Sequence, residues 1–182
     1  MAHAALPTFR YHPDPIATGS IEASDTECVV CKRARGYIYA GPVYSEEELD
    51  DLICPWCIAD GTAHESFYAK FTDMASIGDG QWDEVPDAVA EEVAHRTPGF
   101  TGWQQERWFT HCADAAAFLG VAGHDELEEM GAEAAEAIRS EAGLSGREWE
   151  RFFEALTKEG SPTAYVFRCL QCGAYGGYSD CD

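Results

Sequence analysis

Two Cys-x-x-Cys pairs, Cys28/Cys31 and Cys54/Cys57, constrain this chain more than any other feature. Each pair sets two thiols at the tip of a tight turn. Two such tips close a tetrahedron around one zinc ion, which takes thiolates at about 2.3 Å. Residues 32–53 separate the pairs, slightly more than a double knuckle usually allows. The run 36–44, rich in aromatic and branched residues, accounts for the excess as a strand broken at Gly41-Pro42. Four cysteines saturate zinc, so the expected role of this site is structural.

The alternatives for the same thiols are a redox pair, an iron–sulfur cluster, or plain buried cysteines. Cys54-Pro55-Trp56-Cys57 superficially resembles a disulfide-exchange motif, but no clear βαβ pattern surrounds it. Cys169 and Cys172 form a third pair without an equally clean partner. Cys112 is the best third ligand for a second site, with His111 or Cys181 completing the shell. Adjacent His111 and Cys112 point to opposite faces of a regular strand, so both ligate only where the backbone is irregular. Without a second metal, Cys112 reads as a buried apolar residue.

The formal charge is −21, from 12 basic and 33 acidic residues. Such a chain repels phosphate backbones, which argues against nucleic acid as a direct ligand. Cationic proteins are attracted instead, with a strong salt dependence. The plainer reading is that acidity maintains solubility. The N-terminus lacks a basic start and an apolar core of signal type, and the longest apolar run (115–123) is far too short to span a bilayer. A cytoplasmic protein with no membrane association is expected, and in that compartment eight cysteines argue for metal rather than disulfides.

Along the chain, 9–23 reads as a short extended piece and a proline-punctuated loop, in which His12 is a turn residue. Ser45-Glu46-Glu47-Glu48 has capping-box form and predicts a short helical turn. A helix is expected over about 58–67, loop over 71–85, and a helix after Pro86 carrying Ala88, Val89, Val93 and Ala94. Residues 102–112 read as a turn and a strand leading into Cys112, and 115–121 as a further short strand. Helical periodicity covers 125–142, with Leu127, Met130, Ala134 and Ile138 on one face and Gly143 as the stop. It resumes over about 146–158, carrying Trp149, Phe152, Phe153 and Leu156. The outward faces of both helices are mostly Glu. An alternating strand at 163–169, the third cysteine pair and a hairpin return over 174–178 close the chain. The expectation is one compact α+β domain with a zinc-knuckle half over about 9–70 and a second half over about 86–182.

Several motifs together resemble the CbrC family: FRYHPDPIATGSI (9–21), GYIYAGPVY (36–44), LICPWCIADGTA (52–63), RTPGFTGWQQERW (96–108), HCAD (111–114) and YVFRCLQCG (165–173). The likeness runs from Phe9 almost to the C-terminus. It implies a bacterial protein from a family associated with tolerance to a nuclease-type colicin. In that family a further Cys often stands four positions after the one matching Cys112, where this chain has Ala116.

The reading is a non-enzymatic zinc protein, with Cys28, Cys31, Cys54, Cys57, Cys112, Cys169, Cys172 and His111 as metal ligands. Its partner is expected to be a basic protein toxin or another cationic protein, met by the acidic helix faces. The alternative is a metal-dependent enzyme with three ligands and a water at the second cluster and Asp114 as base.

Overall fold

The computed structural model describes residues 5–181. A first antiparallel pair, β1 (Ile21–Ser24) and β2 (Gly36–Tyr39), is followed by α1 (Pro55–Ala59), α2 (Thr62–Phe67) and α3 (Asp87–Arg96). Next comes the small hairpin β3 (Thr110–His111) and β4 (Asp114–Ala115), then β5 (Ala117–Ala122). Three helices follow: α4 (His124–Met130), α5 (Ala132–Ala142) and α6 (Gly146–Ala155). The chain ends with β6 (Thr163–Arg168) and β7 (Tyr175–Asp180), which join β5 in an antiparallel sheet of order β5-β6-β7. This is a single α+β domain. No helix among the described residues is long and apolar enough to cross a membrane.

The period-2 pattern of β6 organises the second half. Tyr165 and Phe167 face an aromatic core with Tyr11, Phe100, Trp108, Phe118 and Tyr178. Ala164 and Val166 face the opposite side, where Leu127, Ala134, Ile138 and Leu156 pack from the helices. A central strand buried on both faces needs apolar residues throughout, and all of β6 but Arg168 is buried. Gly177 lets the layers approach: its φ is +150°, and a Cβ there would lie 2.0 Å from the Tyr165 carbonyl oxygen. A separate core in the first half gathers Ile21, Tyr39, Ile53, Ile58 and Phe71 around the buried sulfurs of Cys28, Cys54 and Cys57.

Four expected elements differ. Residues 45–48 form no helical turn, because the Ser45 hydroxyl donates to the Phe67 carbonyl (3.1 Å) and the three glutamates bring no apolar face to bury. The helix expected over 58–67 is two short ones. Gly61 turns left-handed at φ +84° and Asp60 Oδ1 accepts from the Thr62 N–H at 3.0 Å, which restarts the helix as α2. The helix over 125–142 likewise breaks at Gly131, with φ +99° and ψ 174°. The last helix stops at Ala155, and Trp149, Phe152 and Phe153 are half-buried against the third core. Gly143, left-handed at φ +67°, ends α5 at the expected place.

Candidate metal centres

At the first centre, Cys54 precedes α1 as its N-cap and Pro55 occupies the first turn, where its missing N–H costs nothing. One helical turn later Cys57 points the same way. Cys28 and Cys31 come from a turn closed by Lys32 N–H to Cys28 O (2.8 Å) and Cys28 N–H to Arg33 O (3.0 Å), and the Cys54 N–H donates to Cys28 Sγ (3.3 Å). The Sγ separations are 3.9 Å for Cys28–Cys57, 3.8 Å for Cys31–Cys54 and 3.6 Å for Cys54–Cys57. Four thiolates at about 2.3 Å from one ion in a tetrahedron stand about 3.8 Å apart. The cage thus has the size of a single tetrahedral ion. Its thiols divide their protons unevenly: hydrogen bonding with Cys54 draws Cys28 down to about 4, the same bond drives Cys54 up, and burial pushes Cys57 up to about 11. A cationic centre removes that conflict by stabilising every thiolate at once.

The second centre joins the tips of two hairpins. His111, Cys112, Cys169 and Cys172 each offer one ligand atom, all within 4.8 Å of one another. His111 Nδ1 lies 3.2 Å from Cys112 Sγ and 3.5 Å from Cys172 Sγ. An imidazole nitrogen and a thiolate on one zinc ion are separated by about 3.6 Å. The adjacency of His111 and Cys112 is resolved by the β3–β4 turn. Cys112 and Ala113 both adopt left-handed backbone, φ +57° and +55°, in a two-residue hairpin loop, so Cys112 leaves the strand alternation and joins the side of His111. Left-handed backbone costs a non-glycine residue roughly 1–2 kcal/mol, which the rest of the site must offset. Cys169 and Cys172 occupy the β6–β7 turn, which is closed by Gly173 N–H to Cys169 O at 3.0 Å. Burial raises the Cys169 thiol, but hydrogen bonds from the Cys172 N–H, His111 and the Gln171 N–H outweigh it and bring the group to about 6. Cys112, beside Cys172, is pushed up to about 11.

Both cysteine clusters can therefore hold a metal ion such as zinc. Cys181 lies outside them: it is exposed, and its carbonyl accepts from Gln104 Nε2 at 3.0 Å. Ala116 is buried in the aromatic core, with its carbonyl accepting the Trp108 indole N–H (3.0 Å) and its N–H donating to Phe109 O (3.0 Å).

Asp114 flanks the second centre as a structural hub. Its Oδ1 accepts from the Tyr11 hydroxyl (2.8 Å) and the Ala115 N–H (2.9 Å), and its Oδ2 from Arg10 (2.6 Å) and Gln171 Nε2 (2.8 Å). Four donors fill the lone pairs of a side chain only 7% exposed, leaving none to act as base toward a metal-bound water. Gln171 sits within the Cys169–Cys172 turn, so Asp114 ties that turn to the N-terminal strap, the segment carrying Arg10 and Tyr11.

Three further polar features, two of them buried, have no signal in residue spacing. His12 is enclosed, with Nδ1 2.8 Å from Pro98 O and Nε2 2.7 Å from the Thr18 hydroxyl, and burial lowers it to about 4. It pins the proline loop. His64 and His95 stack with centroids 3.6 Å apart, joining α2 to α3. Glu106, 4% exposed, accepts from the Tyr44 hydroxyl at 2.6 Å and is raised by burial.

Residues 6–181 match the model of a family described as "Uncharacterised protein family (UPF0167)". The chain is 51% identical over 183 aligned residues to "UPF0167 protein Mb2317" of Mycobacterium bovis, covering 96% of this chain and 93% of that protein. It is 51% identical, with the same coverage, to "UPF0167 protein MT2352" of Mycobacterium tuberculosis. With "UPF0167 protein PA1536" of Pseudomonas aeruginosa the identity is 47%, over 92% of this chain and 93% of that protein. No solved structure matches the chain. A family model that spans nearly every described residue, and relatives matched over almost their whole length, make this chain a member of the UPF0167 family.

Proposed function

We propose that both centres hold structural zinc and that the protein acts without catalysis, in the cytoplasm, by binding a cationic protein. The resemblance to CbrC proteins suggests the setting, tolerance to a basic nuclease-type toxin. The observation that carries the reading is the charge of the helical layer. Glu128 and Glu129 on α4, Glu133 and Glu136 on α5, and Glu150 and Glu154 on α6 are all exposed. Arg139, the one basic residue of α5, is engaged by Glu136 at 3.0 Å, and the exposed Arg147 and Arg151 of α6 are outnumbered by its Glu148, Glu150 and Glu154.

With a formal charge of −21, this surface attracts a basic partner over about a Debye length and competes with a nucleic-acid phosphate backbone for it. The zinc centres fix the scaffold that presents the helices. The first holds the N-terminal core together, and the second clamps the turn of the sheet on which α5 packs.

The test is titration of the purified protein with a cationic nuclease toxin domain encoded beside its gene, at low and high salt. The expected result is binding that inhibits the nuclease and weakens steeply as salt rises, with further loss in Glu133→Lys/Glu136→Lys at unchanged metal content. Absence of binding at low salt, or an affinity indifferent to salt, contradicts the reading.

A further inference from the structure

The two centres differ in exposure. In the first, Cys28, Cys54 and Cys57 are 0%, 1% and 2% exposed and Cys31 is half-buried, so no cysteine of that cluster is exposed. In the second, Cys112 and Cys172 are exposed and only Cys169 is buried. We propose that the second centre is a hydroperoxide-sensitive metal switch, in which Cys112 and Cys172 leave the ion as a disulfide while the first centre stays loaded. The inference rests on the reading that both centres hold zinc.

Oxidation of a thiolate follows its access to the oxidant. Cys112 and Cys172 share that access, and both sulfurs flank the same imidazole nitrogen, at 3.2 and 3.5 Å. They sit on the tips of different hairpins that Gln171 and Asp114 already hold together at 2.8 Å. Joining them requires movement of the turn tips, not of the sheet. Cys169 is 3% exposed and accepts the Gln171 N–H at 3.4 Å, so it is shielded from the same attack.

In the first step one exposed thiolate takes the terminal oxygen of the hydroperoxide, becoming a sulfenic acid as the O–O bond breaks and the departing alkoxide is protonated to an alcohol. The second thiolate then attacks the sulfenic sulfur and displaces hydroxide, which leaves as water. Two thiolates, one hydroperoxide and two protons give one disulfide, one alcohol and one water. The ion keeps only Cys169 and His111 and dissociates.

The test uses the full chain, with zinc counted before treatment. Hydrogen peroxide is added, released zinc is followed with a chromogenic chelator, and disulfides are mapped by peptide mass spectrometry. The expected result is release of one zinc equivalent per chain with a Cys112–Cys172 cross-link, Cys28, Cys31, Cys54 and Cys57 remaining reduced, and reversal by a dithiol plus zinc. Cys181→Ser should behave identically. Release from both centres together, from the first centre alone, or from neither overturns the proposal, as does a cross-link to Cys181. If the initial count shows a single ion per chain, the two-zinc reading fails. The cross-link map then still decides the thiol chemistry, because Cys112–Cys172 must form in preference to any other pair.

Discussion

Replacing Asp114 tests how the N-terminal strap and the second centre are tied together. In Asp114→Ala the Tyr11 hydroxyl and the Ala115 N–H lose their acceptor in a region where Tyr11 and Ala115 are both 0% exposed. Each stranded donor costs about 1–3 kcal/mol. Arg10, whose side chain is 49% exposed, and Gln171, which is exposed, regain water and add little. The sum is roughly 2–6 kcal/mol, and for a chain of this length that lowers Tm by roughly 4–24 °C. Asp114→Asn keeps an oxygen for Tyr11 and Ala115 and turns its amide toward Arg10 and Gln171, so its cost is about half as large. Thermal melts followed by circular dichroism read both. In the Asp114→Ala background Tyr11→Phe removes one stranded donor, so the double-mutant cycle should show a coupling of about 1–2 kcal/mol. The reasoning is refuted if the alanine and asparagine variants melt alike, or if the coupling is zero.

Three other outcomes follow from the same structure. Cys57→Ser or a strong chelator should abolish cooperative melting of the N-terminal half, since structural zinc contributes on the order of 10 kcal/mol of apparent folding free energy; an unchanged melt would exclude a structural ion. His12 should make stability depend on pH. Its folded value of about 4 lies below the unfolded value of 6.5, so its contribution is fully present above about pH 6.5 and is lost as pH falls toward 4. The loss is at most about 3 kcal/mol, and urea unfolding of His12→Gln should be flatter than the parent across that window. Gly177→Ala should be among the most damaging single substitutions, by more than about 3 kcal/mol, because its methyl group would meet the Tyr165 carbonyl oxygen at 2.0 Å; a soluble, normally melting variant would contradict the close approach of β7 to β6.

The first centre was legible because Cys-x-x-Cys spacing is local: Cys54 and Cys57 need only one helical turn, and Cys28 and Cys31 only one tight turn. The alternation of residues 163–169 likewise announced a strand, although the burial of both its faces depends on the helices that pack over it. The partnership of His111 with Cys112 was not decidable from spacing. It depends on left-handed backbone at Cys112 and Ala113, and neither residue carries the Gly, Asn or Asp signal that marks such a turn. Gly61 and Gly131 were visible signals of helix breaks, but helical periodicity on either side masked them. The Asp114 hub joins residues more than 100 positions apart, and the stack of His64 on His95 joins α2 to α3. Such contacts are set by tertiary packing, and no window along the chain contains them. Cys181 was a reasonable candidate ligand by residue type alone, but the β6–β7 hairpin places its carbonyl against Gln104, away from the cluster.

The central claim, two tetrahedral zinc centres of unlike donor sets, is tested most directly by metal counting combined with zinc-edge X-ray absorption on the purified chain. The account predicts two zinc ions per chain, whose two four-ligand shells hold seven sulfurs and one nitrogen in total, at about 2.3 Å and about 2.0 Å respectively, so that the average shell per ion contains sulfur and nitrogen in a seven-to-one ratio. One ion, a shell lacking nitrogen, iron in place of zinc, or disulfides among Cys28, Cys31, Cys54 and Cys57 in the freshly isolated protein would contradict it.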